Sequence, residues 1–179
     1  ENFLGTAEDE LNATFASFKQ KGATDLIIDL RYNGGGYVDV ANQLASLIVG
    51  NSYTNKVCYK IRANDIIGAD WNQDYKFIST TSPLDLNKAV FITTDGSASA
   101  SELVINSLKP YIEVSDVGDD TYGKPAGQSI VGFPFPTNSV PEPDYEYAYG
   151  IITFEYLNSL NEGRFYDGIA PDTRVNDDI

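Results

Sequence analysis

Residues 24–36 read Thr24-Asp25-Leu26-Ile27-Ile28-Asp29-Leu30-Arg31-Tyr32-Asn33-Gly34-Gly35-Gly36. The first seven are a short apolar run, partly β-branched, the pattern of a buried strand in a largely parallel sheet. Asn33-Gly34-Gly35-Gly36 cannot continue a strand and predicts a loop. A helix is expected over 38–49, with Val40, Ala41, Leu44, Leu47 and Ile48 on its buried side and Gly50 at its end. The same design recurs further on. Ala89-Val90-Phe91-Ile92-Thr93 reads as a second buried strand, Thr94 to Ala98 as a tight small-residue turn, and residues 99–109 as a helix stopped by Pro110.

Outward from these two units the pattern is consistent. Leu11, Phe15 and Phe18 fall on one face of a first helix, with Thr6 and Asp9 as a capping box and Gly22 as its stop. Val57, Tyr59 and Ile61 alternate with polar residues, as in a half-buried strand. Residues 63–88 are polar and aromatic and predict a long connection with one short strand near Phe77. Short strands are expected over 111–117, 127–132 and 147–154, with a loop carrying Pro134, Pro136, Pro141 and Pro143 between the last two. Strands alternating with helices in this way define an α/β fold with a mixed sheet.

Composition narrows the chemistry. The 179 residues carry 12 Lys+Arg against 26 Asp+Glu, a formal net charge of −14, with no Lys/Arg cluster. Such a chain is a poor ligand for nucleic acid or anionic lipid. No apolar stretch is long enough to span a membrane. There is no histidine, so neither Ser-His-Asp nor Cys-His catalysis nor His-ligated zinc can come from this chain alone. The one cysteine, Cys58, can form neither an intrachain disulfide nor a thiolate zinc site, and no metal or other cofactor is expected. A chain that begins at Glu1 and lacks methionine is expected to be a processed chain or a fragment.

The turns at the carboxyl ends of the two strands are where sites form in α/β sheets. A helix start there also offers free N–H groups and a positive dipole end to a negative oxygen. Each feature has a plain structural reading as well. Three glycines make a tight turn, serines at 97, 99 and 101 cap a helix, and Lys124 in Tyr122-Gly123-Lys124 is a solvated charge. Together they read differently. A serine needs a base to become a nucleophile, and without histidine a lysine is the alternative. Such a lysine must be neutral at working pH, which burial favours and a nearby carboxylate opposes. Residues 121–136 contain no acidic residue.

The chain resembles the catalytic core of the tail-specific, or carboxy-terminal-processing, serine proteases. Four stretches carry the resemblance in the family's order: Asp29 to Gly36, Ser97-Ala98-Ser99-Ala100-Ser101-Glu102, Thr121-Tyr122-Gly123-Lys124, and Gly168-Ile169-Ala170-Pro171-Asp172. The resemblance implies a ClpP/crotonase-like mixed sheet with flanking helices. It implies Ser99 as nucleophile, Lys124 as general base, and Gln128 as the residue that orients the lysine. It also implies an oxyanion hole from the N–H groups of Ala100 and Gly35, with Gly36 as the alternative second donor. The substrate would be a protein or peptide, cut at or near its C-terminal tail in the periplasm or cell envelope.

Pro125 stands where the family often has glycine. The family usually has an upstream PDZ domain and further core strands, so the whole chain, 1–179, is expected to be a partial catalytic core. Two alternatives remain open on sequence: a non-catalytic module binding a hydrophobic ligand or peptide on the same fold, and a crotonase-type enzyme acting on acyl thioesters. Asp29 and Arg31 are read as structural, and Glu102 as a favourable charge at a helix start. Asp172, Asp177 and Asp178 are read as a solvated acidic tail. Tyr145, Tyr147, Tyr149 and Tyr156 are expected to be half-buried strand residues, and Cys58 a small apolar one.

Overall fold

The computed structural model describes residues 2–133 and 147–175. Among the described residues, eight strands form two four-stranded sheets. The parallel sheet has the order β1 (Ile27–Asp29), β4 (Lys88–Thr93), β5 (Glu113–Gly118), β8 (Thr173–Arg174). The antiparallel sheet has the order β3 (Gln73–Lys76), β2 (Val57–Ala63), β7 (Tyr147–Leu157), β6 (Ala126–Phe133). The expected mixture of parallel and antiparallel pairing is therefore present, divided between two sheets. The proline-rich loop of residues 134–146 lies outside the described residues.

Among the described residues, three α-helices join the sheets: α1 (Ala7–Gln20), α2 (Val38–Val49) and α3 (Ala100–Leu108). Every residue of α3, and α2 from Val40 onward, is buried, polar side chains included. A helix enclosed on all sides belongs to the centre of a fold rather than its surface. α2 packs against α3, and α3 touches β5 of one sheet and β2 and β7 of the other. One apolar cluster accordingly runs from Phe3 and Phe15 through Leu47, Phe91 and Ile105 to Tyr59 and Tyr156. Tyr59 stacks on Tyr75 with ring centroids 4.7 Å apart and meets Tyr156 in a T-shaped contact at 6.1 Å.

Several expectations are corrected. Thr6 has helical φ and ψ and its side chain caps nothing, so the Thr6–Asp9 capping box does not form. β1 is an edge strand paired with β4 alone, and Ile27 is 67% exposed rather than buried. A groove of about 570 Å³ between α1 and β1 keeps that side open. The short strand expected near Phe77 ends at Lys76, and Phe77 itself is buried. Tyr147 and Tyr149 are exposed and Tyr156 is buried, whereas Tyr145, Asp177 and Asp178 lie outside the described residues. Cys58 is buried, and burial pushes its thiol up to about 12, which suits a small apolar residue. Among the described residues no helix is long and apolar enough to cross a membrane.

Candidate active site

β4 ends at Thr93, and after six intervening residues α3 begins at Ala100. The chain makes this turn through Ser99, whose φ is 56° and ψ −110°. A non-glycine residue held there costs about 1–3 kcal/mol, and such strain gathers at functional sites. A serine on a sharp strand-to-helix turn is lifted out of its surroundings, with its side chain projecting beyond the sheet. Ser99 is half-exposed between buried Ala98 and buried Ala100.

The three alternating serines have separate tasks. Ser97 Oγ donates to Leu30 O at 2.7 Å and accepts from Thr94 N–H at 3.0 Å. Ser101 Oγ donates to Asn33 O at 2.9 Å, and Ala98 N–H donates to the same oxygen at 3.0 Å. Ser97 and Ser101 are fully buried clips that strap the glycine turn to the serine turn. Ser99 takes no part in that strapping.

The glycine turn lies directly against the elbow. A Cβ at Gly35 would stand 2.8 Å from Ala100 N and 2.9 Å from Ser99 Cβ, and Gly35 has φ +98°, so no other residue fits. Gly35 N–H donates to the side-chain oxygen of Asn33 at 3.0 Å. Gly36 pairs with Phe3 in a parallel bridge through its neighbours: Phe3 N–H donates to Gly35 O, and Tyr37 N–H donates to Phe3 O. The bridge leaves the N–H of Gly36 unused. Ala100 N–H, at the first helical position, has no acceptor within the helix.

Glu102 completes the site, and its bonds reach further than the favourable helix-start charge expected from sequence. It is 0% exposed, yet both carboxylate oxygens are satisfied. Oε1 accepts from Thr121 Oγ1 at 2.6 Å and Gly123 N–H at 2.7 Å. Oε2 accepts from Ser99 N–H at 2.8 Å and Lys124 N–H at 2.9 Å. Four converging donors are what a buried acceptor-only group requires. One oxygen thus holds the backbones of Ser99 and Lys124 side by side. The acid-free stretch 121–136 does face a carboxylate, supplied from α3 and already engaged by those donors.

The lysine loop is braced from behind. Thr121 Oγ1 accepts from Ile169 N–H at 2.7 Å, and Thr121 N–H donates back to Ile169 O at 3.2 Å. Gly168, at φ +91°, approaches so closely that a Cβ would stand 2.2 Å from Thr121 O. Asp172 accepts from the N–H of Asp116 on β5. The fourth signature stretch is therefore a buttress for the third, and Asp172 is a structural acceptor rather than a tail charge.

Lys124 is half-buried, and among the described residues no carboxylate forms an ion pair with its Nζ. Gln128 is exposed, with its side chain over Gly150 of β7, and among the described residues it makes no hydrogen bond to Lys124. Arg31 grips Asp29 through Nε and Nη2 at 2.8–3.1 Å, and this holds the Asp29 carboxyl below the usual carboxylate range. The pair fixes the exit of β1, as a structural reading expects.

The fold is thus a two-sheet α/β architecture in which a serine on a strained elbow is flanked by a glycine turn and tied through a buried glutamate to a lysine loop. The profile of peptidase family S41 matches residues 1–175, and the chain belongs to that family. The carboxy-terminal processing protease CtpA of Bacillus subtilis is 30% identical over 124 residues, 69% of this chain and 24% of that protein. The chloroplastic carboxyl-terminal-processing peptidase 1 of Arabidopsis thaliana is 30% identical over 128 residues, 72% and 24% respectively. A crystal structure of a Bacteroides fragilis protein assigned to the S41 proteases superposes with a TM-score of 0.87 at 25% identity, over 99% of this chain and 46% of that one. The photosystem II D1 C-terminal processing protease shares the fold, with a TM-score of 0.72 at 19% identity, over 99% of this chain and 41% of that one. The chain spans about a quarter of the length of the curated relatives it matches.

Proposed function

We propose that this chain is the catalytic core of a serine endopeptidase in which Ser99 is the nucleophile and Lys124 the general base. The observation that carries the reading is the Glu102 Oε2 bridge, which joins the backbone of a strained, half-exposed serine to that of a lysine without an ion-pair partner among the described residues. Neutral Lys124 takes the proton of Ser99 Oγ as that oxygen attacks a peptide carbonyl carbon. The developing oxyanion is received by Ala100 N–H and by a donor from the glycine turn. Gly35 is the nearer residue, but its N–H is committed to Asn33, so the second donor in this arrangement is Gly36. Each such donor is worth about 3–4 kcal/mol in the transition state. The C–N bond breaks as protonated Lys124 returns its proton to the leaving amine, and water then hydrolyses the acyl-enzyme. Gln128 is assigned a supporting role at the lysine, reached by a rotation away from Gly150.

The relatives' names support a substrate that is a protein processed near its C-terminus. We extend the reading to the periplasm or cell envelope as the place of action, and recovery of the protein in the cytosolic fraction would count against that extension. The mechanism is tested by comparing the full-length protein with Ser99→Ala and Lys124→Ala on an unfolded peptide. Both substitutions are expected to abolish cleavage without lowering the melting temperature, and equal cleavage by all three proteins would overturn the assignment.

A further inference from the structure

Asn33-Gly34 is the one Asn-Gly pair in the chain, and it lies in the glycine turn beside the elbow. The pair carries its own reactants. The side-chain carbonyl carbon of Asn33 is an electrophile, and the backbone nitrogen of Gly34 can close a ring onto it. Glycine has no side chain to bar that approach. Asn33 is buried, but Gly34 is exposed, and a Cβ at Gly34 would meet nothing nearer than Asn2 Oδ1 at 3.7 Å. Solvent therefore reaches the nucleophile.

Hydrogen bonds hold both groups. Gly35 N–H donates to Asn33 Oδ1 at 3.0 Å, the local side-chain-to-backbone bond that asparagine favours in turns. A donor at a carbonyl oxygen makes its carbon more electrophilic, as in an oxyanion hole. This bond therefore primes Asn33 rather than protecting it. The restraint comes from elsewhere: Gly34 N–H donates to Asn2 Oδ1 at 3.1 Å. The nitrogen must shed that proton and turn inward before it can attack. Asn2 is exposed and owes its place to the adjoining bridge, in which Phe3 N–H donates to Gly35 O and Tyr37 N–H to Phe3 O, at 2.8 Å each.

We propose that Asn33-Gly34 is a self-modification site, a deamidation site within the glycine turn, and that Asn2 is the latch that keeps it unreacted. When the latch lifts, Gly34 N gives its proton to a solvent base and attacks Asn33 Cγ. A C–N bond forms, the Cγ–Nδ2 bond breaks, and the amide nitrogen takes up a proton and leaves as ammonia. Water then opens the succinimide at either of its carbonyls, leaving aspartate or isoaspartate at position 33. Nothing is oxidised or reduced. In the isoaspartate form the backbone runs through the former side chain, and the former main-chain carbonyl becomes a pendant carboxylate. Asn33 O is the acceptor for Ser101 Oγ at 2.9 Å and for Ala98 N–H at 3.0 Å, so both straps between the glycine turn and the serine turn are altered at once. The chemistry needs neither Ser99 nor Lys124, and it stands or falls separately from the serine–lysine reading.

The test incubates the full-length protein and its Asn2→Ala and Asn2→Asp variants at mildly alkaline pH. Mass spectrometry of the fragment carrying residue 33 follows replacement of the side-chain NH2 by OH. Asn2→Ala removes the acceptor and is expected to convert about fivefold faster than the unsubstituted protein, the weight of one hydrogen bond. Asn2→Asp keeps an acceptor oxygen and is expected to convert at the unsubstituted rate. Equal rates for Asn2→Ala and the unsubstituted protein overturn the latch, and so does an Asn2→Asp rate that matches Asn2→Ala. No conversion in Asn2→Ala, over a period in which a free peptide of residues 24–36 converts fully, overturns the site itself. Aged protein is also expected to melt below fresh protein in step with its isoaspartate content, measured by methylation with a protein isoaspartyl methyltransferase. An unchanged melting temperature at high conversion overturns the link to the straps.

Discussion

Glu102 lies three positions after Ser99, the spacing at which a glutamate at the start of a helix folds back onto the N–H of the preceding cap. That local bond was foreseeable from sequence. The other three donors were not, because they arrive from residues 121–124, which only the fold brings alongside. Glu102→Gln replaces one acceptor oxygen with an NH2 group aimed at two donors. Leaving buried donors unmatched costs about 1–3 kcal/mol each, and at about 2–4 °C per kcal/mol for a chain of this size the melting temperature should fall by at least roughly 4 °C. Peptide cleavage should fall further than the folded fraction does, because the Lys124 backbone is released. A thermal scan and a kcat/KM measurement together check this, and an unchanged rate would confine Glu102 to stability. The serines offer a paired comparison. Ser97→Ala orphans Thr94 N–H and takes one of two donors from Leu30 O, which keeps Asn33 N–H, and should cost about 1–3 kcal/mol, whereas Ser99→Gly relieves the positive φ and should leave the melting temperature unchanged or higher while abolishing cleavage. Thermal denaturation of the two variants separates structural clip from proposed nucleophile, two identical letters that sequence alone assigns only by resemblance.

At the scale of elements, what was legible is what depends on local periodicity. The helix expected over 38–49 is α2, Val38–Val49, because apolar residues at helical spacing and a terminal Gly50 are strong local signals. The strand expected over 24–30 keeps hydrogen bonds to β4 from Leu26 to Leu30, although only three residues count as regular strand. Its burial was misjudged because an apolar run does not reveal whether both neighbours are present. β8 was missed altogether: Thr173–Arg174 is too short to carry a period and exists only by pairing with β5. The contact between the glycine turn and the elbow is likewise a product of two distant elements. Gly35→Ala would drive a methyl group into Ala100 N and Ala98 O. It is expected to displace the start of α3, with cleavage falling at least a hundredfold if one oxyanion donor is lost. Wild-type turnover by Gly35→Ala would show that the two turns need not touch.

Across the whole molecule, the division into a parallel and an antiparallel sheet could not be read from the sequence, since it is fixed by which non-neighbouring strands meet. The buried acid on β5 follows from that arrangement. Asp116 is enclosed with Oδ1 unpartnered, and burial raises its carboxyl pKa although Lys109 approaches Oδ2 at 3.4 Å and Asp172 is nearby. A carboxyl raised in the folded state is a stability cost while ionised, and the cost is relieved as the pH falls through the folded value. Asp116→Asn should therefore raise the melting temperature at a pH well above the ordinary carboxylate range, and its advantage over the unsubstituted chain should shrink at a lower pH as wild-type Asp116 takes up its proton. Parallel thermal scans at the two values check the sign, and an advantage that grows on acidification would refute it. The single oxygen of Glu102 that holds both Ser99 and Lys124 also governs how the site opens. If that carboxylate withdraws, both amides lose their acceptor at once, so their protons should exchange with solvent at a common opening free energy. The Ser99 and Lys124 backbones would then form one cooperative unit, present together or absent together.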